Sequence, residues 1–517
     1  MFEKIRLRTI LEYGVVLLLC TPLLIGESLL FPLITTKAFF FYILVDILLV
    51  CYLLLIKEES VYPKKDKLLY FFLGITVLSF LFDIFGINFW HSFWGNYERM
   101  VGIYTTIHFV IFLWILLSVY NTKEKYTKLF DTSIIVSFLV SLYGVLQKFQ
   151  VDVFGIIQLQ GERLHATMGN AAFLAAYLLI HLFFIGYVFV KKKNIYWRVF
   201  YAVAFIFDFW ILFATATRGA LLGLAFAIFA MLLYLLVFYK VKKIRIASII
   251  VIVTLVCSVL SLFIFKESRI VQSNLALQRI SQINMTESSS QSRLLLWKMS
   301  VRAAQDHVLI GHGTNNMRIP LDLYHDYDLV EDWFDSSHNK FFDELLVHGI
   351  VGLLLYSIFL GWLFIRIIAL RKTDFVLSFM LFGLLTAYVV QSFFIFDSFI
   401  IGVILTFIFG FIFVATNQTD TKMICTKKWQ GIIVYPLIVF ICLAGIVIYL
   451  KSIIPVRNIV RASYIIETDF EQALELYTKA NTTMMYGHDV VAPFMAKTTI
   501  SLLINDAFPL DEAPRKE

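Results

Sequence analysis

The sequence predicts an all-α, polytopic membrane protein of about twelve to thirteen transmembrane helices, and three observations predict it. First, 60% of the 517 residues are hydrophobic and only 16% are charged, against about 45–50% and about a quarter in soluble domains. A soluble core cannot absorb that much apolar surface, which excludes a cytosolic enzyme, and the same richness excludes disorder. Second, apolar runs of about 20 residues, long enough to cross a bilayer as a helix, recur along most of the chain. Third, Lys and Arg fall on alternate connections between those runs. That is the pattern of a chain whose cytoplasmic loops retain the positive charge.

The N-terminus places Lys4, Arg6 and Arg8 before an apolar run, the charge order of a signal peptide. No small-residue cleavage site follows, and Leu19 ahead of Cys20 opposes lipoprotein processing, so the run reads as a retained first helix. Apolar windows lie near 10–25, 37–56, 68–86, 103–120, 131–147, 171–190, 197–214, 219–239, 245–265, 341–365, 375–395, 399–416 and 432–450. With the N-terminus inside, the connections after spans two, four, six and eight are inside as well. They hold Lys57/Lys64/Lys65/Lys67, Lys123/Lys125/Lys128, Lys191/Lys192/Lys193/Arg198 and Lys240/Lys242/Lys243/Arg245. Later inside connections hold Arg366/Arg371/Lys372 and Lys422/Lys427/Lys428, whereas the outer ones hold little beyond Lys37, Arg99, Lys148, Arg163 and Arg218. The net charge of +7 is therefore mostly topology and gives no support to nucleic-acid binding. Of the five cysteines, four sit in apolar runs and Cys425 in a basic linker, with no disulfide or metal-ligand spacing.

This sidedness divides the chain into a transmembrane domain over 1–450 and an outer tail over 451–517, with a long outer segment at about 266–340. Long connections tend to carry function. Within the outer segment, 267–283 and 290–306 read as amphipathic helices, with Leu294, Trp297, Val301 and Ala304 at helical spacing. The acidic stretch containing Asp326-Tyr327-Asp328 reads as an acidic loop; nucleotide sugars, which such a pair could serve through a metal, are absent outside.

Arg218 lies between two spans with almost no loop, where an arginine either snorkels to the interface or faces a wet cavity. Arg163 and Arg293 are outer arginines of the same kind. Singly each reads as a solvated charge; together they suit a diphosphate, which favours planar guanidinium forks. His338 sits at the mouth of the tenth span after Ser336 and Ser337, either of which could cap that helix. Eleven residues at about 100° each are three turns plus roughly 20°, so Gly349 shares its face and Gly352 lies close to it. Such a track suits either ordinary helix packing or a lipid chain running close to the backbone. Asp46, Asp83, His108, His181 and Asp208 lie in or near spans and are functional candidates by default, though spacing pairs none of them. His91-Ser-Phe-Trp-Gly-Asn-Tyr-Glu-Arg99 either contacts sugar rings or anchors at the interface.

These pieces resemble the O-antigen ligase and polymerase family of bacterial envelope glycosyltransferases. His338-Asn339, nine residues, then Gly349-Ile-Val-Gly352 is similar to the family's His-Asn-x9-Gly-x-x-Gly pattern. Arg163-Leu-His-Ala-Thr-Met-Gly169-Asn170 with Ala175-Ala-Tyr177 resembles its outer loop entering the sixth span, and Thr217-Arg218-Gly219-Ala220 its Ser-Arg-Gly turn, with Thr for Ser. Arg293 with Trp297, then Gly311-His-Gly313, resembles the start of its long outer loop; the likeness covers about 90–415. The tail is similar to one tetratricopeptide repeat, through Ala462-Ser-Tyr464 and Asp469-Phe470 to Ala480, with a lone amphipathic helix pair as the other reading. A single repeat cannot bury its own face, so the tail packs on the membrane domain or the chain stops short of a longer array.

The resemblance implies a GT-C-like enzyme of the bacterial cytoplasmic membrane, its N-terminus cytoplasmic and its site on the outer face. By it, a glycan passes from undecaprenyl diphosphate to an acceptor hydroxyl on a lipid, a glycan or a protein, with inversion and with neither metal nor cofactor. Arg163, Arg218 and Arg293 would bind the donor diphosphate, and His338 would act as general base or orient the acceptor hydroxyl. Asn339, Gly349 and Gly352 would support them, the glycines seating the polyprenyl chain. Ligase, polysaccharide polymerase and protein oligosaccharyltransferase all remain open on this basis. A lipid-linked-sugar transporter is the other reading; it would show internal repeats and a broken-helix midplane site, and no such repeat stands out.

Overall fold

The computed structural model describes residues 2–26, 28–58, 61–151, 163–281, 288–329, 334–417, 430–466, 468–483 and 495–496. It is an all-α polytopic membrane protein with no strand among those residues. Thirteen helices account for the thirteen apolar windows. They are α1 (Phe2–Leu19), α2 (Thr35–Glu58), α3 (Lys67–Ile84), α4 (Ile103–Val119), α5 (Lys123–Lys148), α6 (Ala171–Lys191) and α7 (Ile195–Ala214). After them come α8 (Arg218–Phe238) and α9 (Lys242–Ile264). Two helices of the long connection follow, α10 (Leu275–Ser281) and α11 (Ser288–Ala303). The chain resumes crossing with α12 (Lys340–Ala369), α13 (Phe375–Ser392), α14 (Phe399–Thr416) and α15 (Gln430–Ile465), and α16 (Phe470–Thr483) comes last. Eleven helices among the described residues are long and apolar enough to cross a membrane; α4 is apolar but shorter. The remaining one, α1, carries charges in its first half and buries Leu11, Val15, Leu18 and Leu19 in the bundle.

Burial sorts the helices into layers. On α14 nearly every residue is buried, so this helix, hydrophobic all round, forms the axis of the bundle. On α9 only Ser248 is buried, so its apolar surface is left for lipid. Short polar caps start many of the spans: Asp66 accepts from Leu68 N at 2.8 Å, Asn170 from Ala172 N at 2.8 Å and Asp374 from Leu377 N at 3.1 Å.

Basic connections that alternate in sequence meet at one end of the bundle. Lys123 and Lys191 both reach Asp374, Lys192 pairs with Asp131, and Arg366 donates to Asp66 at 2.6 Å. The connection holding Lys422, Lys427 and Lys428 lies outside the described residues.

At the opposite end, residues of the 266–340 segment build a small core of their own. Leu296, Met299, Ala303, Ala304, Leu321, Leu329 and Phe334 pack with Leu346 of α12. Of the expected stripe Leu294 and Val301 are exposed, whereas Trp297 is half-buried and Ala304 is buried beside Leu296, Met299 and Ala303. Both stripes have helical spacing, and only the position of α12 selects between them.

The expected boundary at 450 falls inside a single helix, since α15 continues to Ile465. Its last turns and α16 form a hairpin that buries Val456, Ile459, Ala462, Ile466, Ala473, Tyr477 and Ala480. Arg457 Nε donates to Ser28 Oγ at 3.3 Å, so the hairpin rests on the membrane bundle. Most of 484–517 lies outside the described residues.

Candidate active site

The turn Ser336–Asn339 leads into α12 and is held from several sides. Asn339 Oδ1 accepts from Phe341 N at 2.9 Å and Phe342 N at 3.4 Å, so Asn339 is the N-cap, in place of the serine expected there. Asp343, one turn in, accepts from Ser337 N at 2.7 Å, Ser337 Oγ at 2.6 Å and Ser336 Oγ at 2.9 Å. Ser336 Oγ in turn accepts from His338 N at 3.1 Å. This network fixes His338 at φ +53°, a left-handed conformation that costs a non-glycine residue energy and persists only where neighbours impose it.

The His338 ring lies between Phe334, 6.2 Å away and perpendicular, and Phe396, 5.7 Å away and tilted by 37°. No protein hydrogen bond reaches either ring nitrogen among the described residues. Burial, followed by the positive charges of Arg293 and Arg99, pushes its pKa down to about 4 against an opposing pull from Asp335. The imidazole is therefore neutral at pH 7, with a ring nitrogen available as acceptor.

Arg163, Arg218, Arg279 and Arg293 share one electrostatic neighbourhood, and of these Arg293 also acts on His338. Arg163 donates through Nε to Thr215 O at 3.1 Å and through Nη2 to Thr217 Oγ1 at 2.9 Å, which sets it on the tight turn ending in Arg218. Burial first, then the charges of Arg279, Arg293 and Arg218, lower the pKa of Arg163 to about 10. Arg218 Nε donates to the Arg279 carbonyl at 2.6 Å, tying α8 to α10. Arg293 sits one helical turn before Trp297, whose Nε1 donates to Ser337 O at 3.1 Å. Arg293 is thus electrostatically felt by both Arg163 and His338.

Two further arginines belong to this neighbourhood. Arg279 carries the same signal that singled out Arg293, an arginine on an amphipathic helix of the long connection. Arg99 stood in the aromatic His91–Arg99 stretch, and the structure shows it forked onto Asp335 and stacked 3.8 Å over Phe396.

Gly349 does something other than expected. Helix α12 is broken at Gly349, with φ +65° and ψ −166°, so counting 100° per residue from His338 does not hold across it. The freed backbone groups pair with the chain's own segment 308–313: Leu346 O accepts from His312 N at 2.8 Å, Val347 O from Gly313 N at 2.9 Å, and Ile350 N donates to Val308 O at 2.8 Å. A Cβ on Gly349 would stand 2.4 Å from Leu309 C and O, so the close neighbour is this backbone rather than a lipid chain. At Gly352 a Cβ would meet the His348 side chain at 2.2 Å.

Beside the break, α3, α4 and α12 enclose a cavity of about 580 Å³. Phe80, Ile107 and Val110 line its apolar part, and Arg99, Asp335 and Lys340 are among the charged groups at its other walls. Glu344 binds Lys340 at 2.7 Å and His348 Nδ1 at 2.9 Å, and Asp83 faces His348 Nε2 at 3.8 Å while accepting from Thr314 Oγ1 at 3.0 Å. Spacing alone paired none of the intramembrane candidates, yet Asp46 and His108 also meet, at 3.4 Å. His181 bonds Ser133 at 2.8 Å, and Asp208 accepts from Ser137 at 2.8 Å and Ser141 at 2.6 Å. Among the described residues no group of three or more His, Cys, Asp or Glu side chains is disposed to hold a metal ion.

Apolar, membrane-length helices, eleven of them among the described residues, define a multi-pass membrane protein. Residues 203–357 match the family model described as O-Antigen ligase, and the resemblance read from the sequence is borne out over that stretch. It holds Arg218, Arg279, Arg293, His338, Asn339, Gly349 and Gly352, whereas Arg99 and Arg163 precede it. The family implies O-antigen ligase activity or a related polymerase or glycosyltransferase activity, on lipid-linked glycan and acceptor substrates. No curated protein matches the chain.

Proposed function

We propose that the chain transfers a glycan from undecaprenyl diphosphate to an acceptor hydroxyl at the outer face of a bacterial cytoplasmic membrane. The observation that carries this reading is the Trp297–Ser337 hydrogen bond, which joins the helix bearing Arg293 to the turn bearing His338. The diphosphate lies among Arg163, Arg218 and Arg293, whose fixed charges stabilise the negative charge that grows as the glycosyl bond breaks. The acceptor oxygen attacks the anomeric carbon from the far side, the diphosphate leaves with the bonding electrons, and the acceptor proton passes to a ring nitrogen of His338. A histidine that burial and then Arg293 and Arg99 hold near pKa 4 is a weak base in the free protein. A bound diphosphate offsets Arg293 and raises the proton affinity of His338, so the base becomes competent when the donor is present.

In this reading residues 1–450 form the transferase domain, the N-terminus is cytoplasmic, and the 266–340 segment and the tail lie outside. Gathering of the arginines and His338 at one end favours a transferase over a transporter, which needs a path through the bundle. The test is transfer in reconstituted membranes with a lipid-linked donor. His338→Ala should lose about 10²–10⁴-fold in rate with donor affinity nearly intact. Arg218→Ala should weaken donor binding as well as rate, because its partner is present in the ground state. A His338→Ala protein that transfers at near the parental rate would sink the assignment.

A further inference from the structure

Asp335 and Arg99 stand 236 positions apart in sequence and meet as a forked ion pair, Arg99 Nε donating to Oδ2 and Nη2 to Oδ1 of Asp335. A planar, bidentate pair of this kind fixes direction as well as distance. Neither partner is far into water, with side chains 25% and 17% exposed, so the pair is screened less than a surface one. The Cζ of the same guanidinium lies 3.8 Å from the centroid of Phe396, and Phe396 is the ring against which His338 packs. Arg99, Asp335 and Phe396 also line the 580 Å³ cavity. They form the wall between that cavity and the histidine.

We propose that Arg99 and Asp335 act together as a positioning pair for His338, fixing its ring through Phe396 and balancing the charge that the imidazole faces. The inference rests on the transferase reading, in which neutral His338 receives the acceptor proton. The charged groups facing His338 come from three elements: Arg293 on α11, Arg99 on the connection before α4, and Asp335 on the histidine's own turn. Asp397, next to Phe396, is engaged by Tyr388 at 2.9 Å, and Asp343 by the two serines. The pair therefore contributes two opposite charges that largely cancel at the ring. Removing one partner exposes the other.

The experiment is the pH dependence of kcat/KM for transfer in reconstituted full-length protein, with a polyprenyl-diphosphate-linked glycan as donor. Activity requires the neutral imidazole, so the acid limb follows the ionisation of His338. Asp335→Asn leaves Arg99 bare and should move that limb down by about one pH unit. Arg99→Gln leaves Asp335 bare and should move it up by about as much. The double variant should return the limb near its parental position, and Arg99→Lys, which keeps the charge without the planar fork, should leave it in place while lowering kcat. A purely structural pair would lower activity without moving the limb in opposite directions. Shifts of the same sign, or no shift in variants that still transfer, overturn the inference alone. If both single variants fail to fold, Arg99→Lys decides the matter: a kcat lowered with KM and the acid limb both unchanged supports the inference, and any other result overturns it. An acid limb that survives His338→Ala, or a parent without transferase activity, overturns the functional reading and this inference with it.

Discussion

The Trp297 indole donates to the carbonyl of Ser337 at 3.1 Å, which ties the helix bearing Arg293 to the turn bearing His338. Trp297 also lies 5.6 Å from Phe342 in the first turn of α12, so the join is packed as well as hydrogen-bonded. Two segments 40 positions apart are thereby joined directly at the site.

Replacing Trp297 by Phe keeps the ring and removes the donor. A hydrogen bond of this kind is worth about 1 kcal/mol net, so roughly a fivefold fall in transfer rate is expected. The measurement is steady-state transfer beside donor titration, with affinity expected to change less than rate. An unchanged rate would mean that packing alone holds the two segments.

The pH dependence should differ between free enzyme and donor complex. In the free enzyme burial, then Arg293 and Arg99, hold His338 near pKa 4, so kcat/KM should stay level from neutral pH down to mildly acid conditions. With diphosphate bound the pKa rises, and the acid limb of kcat should lie at higher pH. Coincident limbs would count against a shared electrostatic neighbourhood.

Stability carries the same signature. The folded pKa of His338 lies below the unfolded value near 6.5, so the unfolded chain binds the additional proton between them. Its contribution is fully present above about 6.5 and is lost as the pH falls toward 4. Comparing the thermal unfolding of parent and His338→Gln at pH 7 and pH 5 should show the parent losing more on acidification.

Gly349→Ala should be poorly tolerated. Its φ of +65° is costly for any side chain, and the Leu309 backbone stands 2.4 Å from the added carbon. The backbone strain alone is worth about 1–3 kcal/mol. Proteolysis of purified protein should show the 308–313 segment opening before the bundle does. Wild-type resistance in the variant would mean that the break can close into a regular helix.

The sidedness makes a separate prediction. Reporter fusions after Lys193 and Ser290 should read cytoplasmic and external, because basic connections alternate along the chain. A cytoplasmic reading at Ser290 would place the arginines and His338 on the wrong side for an exported lipid-linked donor.

What the sequence determined by itself was the set of spans, the alternation of basic loops, and the order of Arg163, Arg218, Arg293 and His338 along the chain. These follow from transfer energies and charge, properties that each residue carries wherever it packs. The tertiary structure alone decided that Asn339 caps α12, that α11 buries Leu296 and Met299 instead of Leu294 and Val301, and that Gly349 admits a backbone segment. It alone brought Arg99 to Asp335 and Arg218 to Arg279. Each of these depends on which distant segment lies opposite. A helical repeat leaves two neighbouring stripes equally fit for burial, and a glycine leaves open whose backbone will approach it. Packing makes those choices, since close contact and hydrogen-bond geometry exist only between segments already brought together.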